Sequence, residues 1–167
     1  MSNELCAFSA PAVPQPPRVG AGAPGRVLFE RDHPAHGNDP QQEEPVKRLM
    51  NVLLVDDSPS FLKVARELVT ALPCVGGVAC AGSGVQALDI IQGARFDLVL
   101  TDIAMPDMSG FAMIRHLRAL DDPPQVVAVT LHESPEYRAA VLRSGAKAMI
   151  PKRLFAGEIR TVIAAIH

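Results

Sequence analysis

From Leu49 onward the chain alternates two rhythms of apolar residues: short unbroken runs, and longer stretches with apolar positions three and four apart. A short unbroken run fits a strand buried on both faces, and the three-four spacing fits a helix with one buried face. Met50-Asn-Val-Leu-Leu-Val55 predicts a first strand. Ser58 offers a cap and Pro59 suits a first turn, so Phe61, Leu62, Ala65, Leu68, Val69 and Leu72 predict a first helix, stopped by Pro73. Val75 to Ala81 predicts a second strand, interrupted by Gly76-Gly77, and Ser83 to Gly93 a second helix. Asp97 to Thr101 predicts a third strand and Met105 to Gly110 a loop. Phe111, Ile114, Leu117 and Leu120 then mark a third helix, broken by Asp121-Asp-Pro-Pro124. Gln125 to Val129 is the fourth strand. Ser134-Pro135 caps a fourth helix that runs to Arg143 and ends at Ser144-Gly145. Ala148 to Ile150 is a short fifth strand, and Phe155 to Ile166 the last helix.

Five strands alternating with five helices define an α/β fold. Parallel crossovers need helices and run right-handed, so the sheet is parallel, doubly wound and covered on both faces. The flavodoxin-like strand order 2-1-3-4-5 is one common solution, and sites in such sheets lie at the carboxyl ends of the strands. Residues 49–167 are expected to form this one domain.

Residues 1–48 follow neither rhythm. They hold eight of the fifteen prolines and four glycines. Pro11-Ala-Val-Pro-Gln-Pro-Pro17 reads as extended polyproline linker. Such a segment buries too little apolar surface to offset its ordering entropy, so a disordered extension is expected. A second reading stands beside it: Met50 directly precedes the first strand, and translation from there would make residues 1–49 an over-extended gene start.

Composition sharpens the picture in three ways. Hydrophobic residues make up 48% of the 167, with no Trp and 4% aromatics, so aliphatic side chains fill the core. The net charge of −2 gives no support to a nucleic-acid or membrane partner. Cys6, Cys74 and Cys80 are odd in number and widely spaced, which suits reduced thiols better than a disulfide framework or a zinc site. No run approaches the roughly 18 apolar residues of a membrane helix, and the amino terminus lacks the basic start and apolar stretch of a secretory signal. A cytoplasmic location is expected.

The strand-end rule acts as a filter on the polar residues. Asp56 and Asp57 follow the first strand, Asp102 the third, Thr130 the fourth and Lys152 the fifth. One aspartate after a strand is usually a turn former or helix cap, and Asp107, Asp121 and Asp122 read that way. Five polar features at strand ends together point elsewhere. Clustered carboxylates repel one another, and either a raised pKa or a hard cation such as Mg2+ relieves that repulsion. A carboxylate can attack phosphorus to form an aspartyl phosphate, with Thr130 and Lys152 donating to the phosphoryl oxygens.

These segments resemble response-regulator receiver domains. Val55-Asp-Asp-Ser58 is similar to the family's acidic pair, and Leu98 to Gly110 to its phosphorylation segment. Val129-Thr130 resembles its switch hydroxyl, and Gly145 to Lys152 its lysine segment. The resemblance spans about residues 49–167. It implies that Asp102 accepts a phosphoryl group from a histidine kinase or phosphotransfer protein. It also implies Mg2+ bound by Asp57, Asp102 and the backbone carbonyl of Ala104, with Asp56 helping through water. Thr130 would follow the phosphoryl group and Lys152 pair with it. The readout would be a surface of the fourth helix, fifth strand and fifth helix that contacts a downstream protein, as a monomer or a phosphorylation-dependent dimer. That is a switch rather than an enzyme. The chain ends at His167 without a helix-turn-helix, so direct DNA binding is not expected.

Against the family pattern, Met149 stands where an aromatic is usual, and Arg153 where Pro often follows the lysine in a cis bond. A cis bond there would cost about 2.5–4 kcal/mol, so a trans bond or a remodelled loop is expected. Leu131 stands where a small residue is usual and would narrow access. Ala104 and His132 flank the site where polar residues position hydrolytic water, so a long-lived phosphate is expected. An aspartyl phosphatase would need an acid–base Asp at position 104, and a cobalamin module a histidine between Ile103 and Gly110; neither is present. A degenerate receiver serving only as a scaffold is the third alternative.

Overall fold

The computed structural model describes residues 48–167. The expectations for residues 1–47 lie outside them. Five strands and five α-helices alternate: β1 (Met50–Val55), α1 (Pro59–Thr70), β2 (Val75–Ala81), α2 (Gly84–Gly93), β3 (Leu98–Asp102), α3 (Gly110–Arg118), β4 (Gln125–Thr130), α4 (Pro135–Ser144), β5 (Ala148–Pro151) and α5 (Phe155–Ile166). The strands form one sheet in the order β2-β1-β3-β4-β5, and every pairing is parallel.

The strands read as unbroken apolar runs because each faces two cores. Side chains alternate across a strand. Leu53, Val55, Val99, Val126, Ala128 and Met149 point to one face, where Met113, Ile114 and Leu117 of α3 and Val141 of α4 cover them. Val52, Leu54, Leu98, Leu100, Val127, Val129 and Ile150 point to the other, under Ala65 and Val69 of α1 and Phe155, Ile159 and Ile163 of α5.

Serines start four of the helices. Ser58, Ser83, Ser109 and Ser134 each accept a hydrogen bond from the backbone N–H three residues on, satisfying one of the unpaired donors of a first turn. Helix α4 stops at Gly145, whose φ of 110° is a left-handed conformation that glycine adopts without strain. Helix α5 has no side-chain cap and is entered through a single 3-10 turn, Lys152–Leu154.

Three strand ends lie one residue beyond their sequence-based limits, because Asp102, Thr130 and Pro151 still belong to the ladder. The Gly76-Gly77 interruption appears as a register shift: Met50 pairs with Val75 but Asn51 with Gly77. No cis peptide bond occurs among the described residues, so Lys152-Arg153 is trans, and Lys152 begins the 3-10 turn.

Candidate functional site at the carboxyl edge of the sheet

Register brings the polar residues to one level. Val55 pairs with Thr101, so Asp56 emerges from β1 beside Asp102 at the end of β3. Asp102 pairs with Val129, which places Thr130 one step further along β4. Thr130 pairs with Pro151, so Lys152 turns over the edge of the crevice. Asp56, Asp102 and Thr130 are buried, and Asp57 is exposed.

Each carboxylate oxygen has a defined environment. Asp102 Oδ1 accepts from the Ala104 N–H at 3.1 Å, and Asp102 Oδ2 from Lys152 Nζ at 2.7 Å. Asp56 Oδ1 accepts from the Ser58 N–H at 2.9 Å. Asp56 Oδ2 is 2.6 Å from Lys152 Nζ but out of line, so this buried oxygen has a charge partner and no hydrogen bond. Oxygens of Asp56, Asp57 and Asp102 lie within 4.8 Å of one another. Three hard oxygen donors, one of them lacking a hydrogen bond, fit an oxygen-seeking divalent cation. The pocket therefore suits both Mg2+ binding and phosphorylation.

The electrostatics follow from burial. Desolvation pushes the Asp56 carboxyl above its ordinary value, and Asp102 adds to this, against the opposing pull of Lys152 and the Ser58 N–H. Burial disfavours the Lys152 ammonium, but its hydrogen bond to Asp102 and the negative charges of Asp56 and Asp102 outweigh it and hold its pKa above the usual lysine value. Lys152 also sits 5.0 Å over the ring of Phe61, which Phe155 meets edge-on at 5.2 Å. The aromatic face and two carboxylates enclose the ammonium.

A backbone approach supports the acceptor. Gly110 begins α3 with its N–H donating to the Ile103 carbonyl at 2.9 Å. A Cβ there would strike the Asp102 carbonyl oxygen and come within 2.7 Å of Ile103 Cα. Asp107, exposed in the same loop, accepts from the Val85 N–H at 3.1 Å, and that bond holds its carboxyl below the usual range. It ties the loop to α2, as a structural reading of Asp107 requires.

The structure thus brings Asp56, Asp57, Asp102 and Lys152 together, with Thr130 one residue further along β4. Leu131 departs from expectation. It is 75% exposed and turned to solvent rather than narrowing the crevice. Met149 is buried in the core under α3 and α4. Sequence reasoning missed the aromatic surround. Phe61 was visible only as a periodic helix position, and Tyr137 carried no signal beyond its place in a first helical turn. In the structure Tyr137 meets Phe111 at 5.9 Å and His132 at 4.9 Å.

A five-stranded 2-1-3-4-5 sheet with an acidic pocket and a lysine at its carboxyl edge is the receiver architecture of two-component signalling. The model of the response regulator receiver domain matches residues 52–164, and the chain belongs to that family. It is similar to a response regulator receiver protein of Anaeromyxobacter sp., 34% identical over 60% of this chain and 41% of that protein. It also resembles a gliding motility regulatory protein of Myxococcus xanthus, 34% identical over 68% of this chain and 14% of the relative. The chain therefore spans less than half the length of these two relatives. Among solved structures, the chemotaxis response regulator CheY4 of Vibrio cholerae is 26% identical with a TM-score of 0.64, over 71% of this chain and 99% of that one. No helix among the described residues is long and apolar enough to cross a membrane.

Proposed function

We propose that residues 49–167 work as a phosphorylation switch in which Asp102 is the acceptor. The observation that carries this is the Lys152 ammonium, 2.7 Å from Asp102 Oδ2 and 2.6 Å from Asp56 Oδ2 beside the exposed Asp57. One Asp102 oxygen attacks the phosphorus of a donor phosphohistidine on a histidine kinase or phosphotransfer protein, and the histidine leaves. Asp57, Asp102 and the Ala104 carbonyl, with Asp56 assisting, would hold Mg2+. When bound, that ion neutralises phosphoryl charge and relieves repulsion among the carboxylates. Lys152 remains on the phosphoryl oxygens, and Thr130 donates to another.

The signal leaves by the elements these residues lead into. Thr130 opens the loop to α4, and Lys152 opens the turn between β5 and α5. A new charge at Asp102 biases the packing of both, which presents the α4-β5-α5 face to a downstream protein. The role is signalling rather than catalytic turnover, in the cytoplasm, without direct contact to nucleic acid. The test is incubation with acetyl phosphate and Mg2+, read by intact mass for wild type and Asp102→Ala. A gain of one phosphoryl group in wild type alone is expected. No gain in wild type would leave only the scaffold role.

A further inference from the structure

The β4–β5 ladder ends where Thr130 pairs with Pro151. Past that rung an ion pair joins the two chain segments. Arg153 Nε donates to Glu133 Oε1 and Arg153 Nη2 to Glu133 Oε2, both at 2.6 Å. Glu133 lies in the loop between β4 and α4, three residues after Thr130, and Arg153 in the 3-10 turn before α5, directly after Lys152. Most exposed ion pairs contribute little, but a guanidinium–carboxylate fork with two bonds is the exception, because it fixes orientation as well as distance. The bonds from Arg153 also hold the Glu133 carboxyl below its usual range, so the fork is charged at neutral pH.

The tied segments carry the two groups that would receive the phosphoryl oxygens. In the unmodified protein both Asp102 oxygens are occupied, one by the Ala104 N–H and one by the Lys152 ammonium. A phosphoryl group on Asp102 has to come between the carboxylate and one of these donors, and the lysine, a side chain rather than backbone, is the one that can yield. Lys152 then moves from a carboxylate oxygen to a phosphoryl oxygen while Thr130 donates to another. A fork that tolerates little displacement resists that rearrangement. We propose that Glu133 and Arg153 are positioning residues that strap the Thr130 and Lys152 segments at their unmodified spacing, so that phosphoryl acceptance is slowed until the strap opens. This deepens the reading of Asp102 as acceptor and rests on it. Opening exchanges the two Arg153 N–H bonds to Glu133 for bonds to water, and no covalent bond changes at the strap.

Both side chains are exposed, so their substitution spares the core. The full chain is incubated with Mg2+ and acetyl phosphate, and the rate of mass gain is followed for wild type, Glu133→Gln, Arg153→Gln and the exchanged pair Glu133→Arg with Arg153→Glu. Each single variant should gain mass roughly threefold faster than wild type, about what one exposed ion pair supplies, and the exchanged pair should return toward the wild-type rate. A plain field effect on the anionic donor gives opposite signs instead: loss of Glu133 speeds the reaction and loss of Arg153 slows it. Opposite signs therefore overturn the strap, as does an exchanged pair as fast as the single variants. Mass gain at equal rates in wild type and both single variants removes the strap alone and leaves the acceptor role of Asp102 intact. If wild type gains no mass, the strap falls together with that role.

Discussion

The two ends of the sheet hold charge in opposite ways. At the amino-terminal edge, Arg48 pairs with Asp97 at 3.3 Å and Arg95 with Asp122 at 2.8 Å, around an open cleft of about 490 Å3. Those side chains are mostly exposed, and each cation has one anion. At the carboxyl edge, one ammonium faces two buried carboxylates, with a third beside them. Balanced, hydrated pairs cost little and contribute little. An unbalanced buried cluster costs stability, and it stores an affinity for added positive charge. An open cleft is therefore not by itself the better site; uncompensated charge distinguishes the two ends.

The sharpest way to break the contrast is to remove the buried cation. Lys152→Met should destabilise the fold by about 3–5 kcal/mol, the range for stranding buried partners, and denaturant unfolding at neutral pH measures it. Gly110→Ala should follow, at about 1–3 kcal/mol, because the added Cβ strikes the strand that carries Asp102. It should also slow phosphoryl acceptance, which intact mass would follow.

Mg2+ sharpens the contrast without a mutation. At about a hundredfold excess over its Kd it should add about 2.7 kcal/mol of stability, seen as a higher Tm, and chelation should reverse the gain. The gain should vanish in Asp57→Asn and persist in Asp97→Asn at the opposite edge. The pH dependence follows from Asp56. Its pKa is raised on folding, so its contribution to stability is full below the unfolded carboxylate value of 3.8 and is lost as pH rises through the folded value. Without Mg2+, Asp56→Asn should therefore be more stable than wild type at neutral pH, and the advantage should fade as pH falls toward 3.8. The smallest effect belongs to Arg48→Ala, within about 1 kcal/mol and reduced further by salt.

Much of this was legible beforehand because the strands are buried on both faces and four helices begin on serine. Burial on both faces leaves an unbroken apolar run, and a capping serine marks a boundary to within a residue. The strand ends were read one residue short for a physical reason. Asp102 and Thr130 are polar members of the ladder, and a pattern of apolar residues stops before them. The candidate cluster was legible through the strand-end rule, because a parallel sheet converts chain position into place. What stayed hidden was pairing across distance. Nothing in the pattern says that Lys152 rests against Asp56 as well as Asp102, or that Phe61 lies under the ammonium. Tyr137 was silent because its burial comes from the loop after β4 and from α3, not from the period of its own helix. Leu131 misled because size was readable from its side chain and direction was not.

Strand β5 bears on how a partner can read this molecule. It is the outer strand beside β4, four residues long, and its last member is Pro151. Proline has no N–H to give, so the hydrogen-bond ladder has no donor to pass outward at the rung just before Lys152. An extended peptide seeking to lengthen the sheet would find its attachment cut short beside the crevice. Recognition at this edge must therefore be made by side chains and helix faces, the parts whose packing a charge at Asp102 can alter, rather than by a backbone template that looks the same in both states.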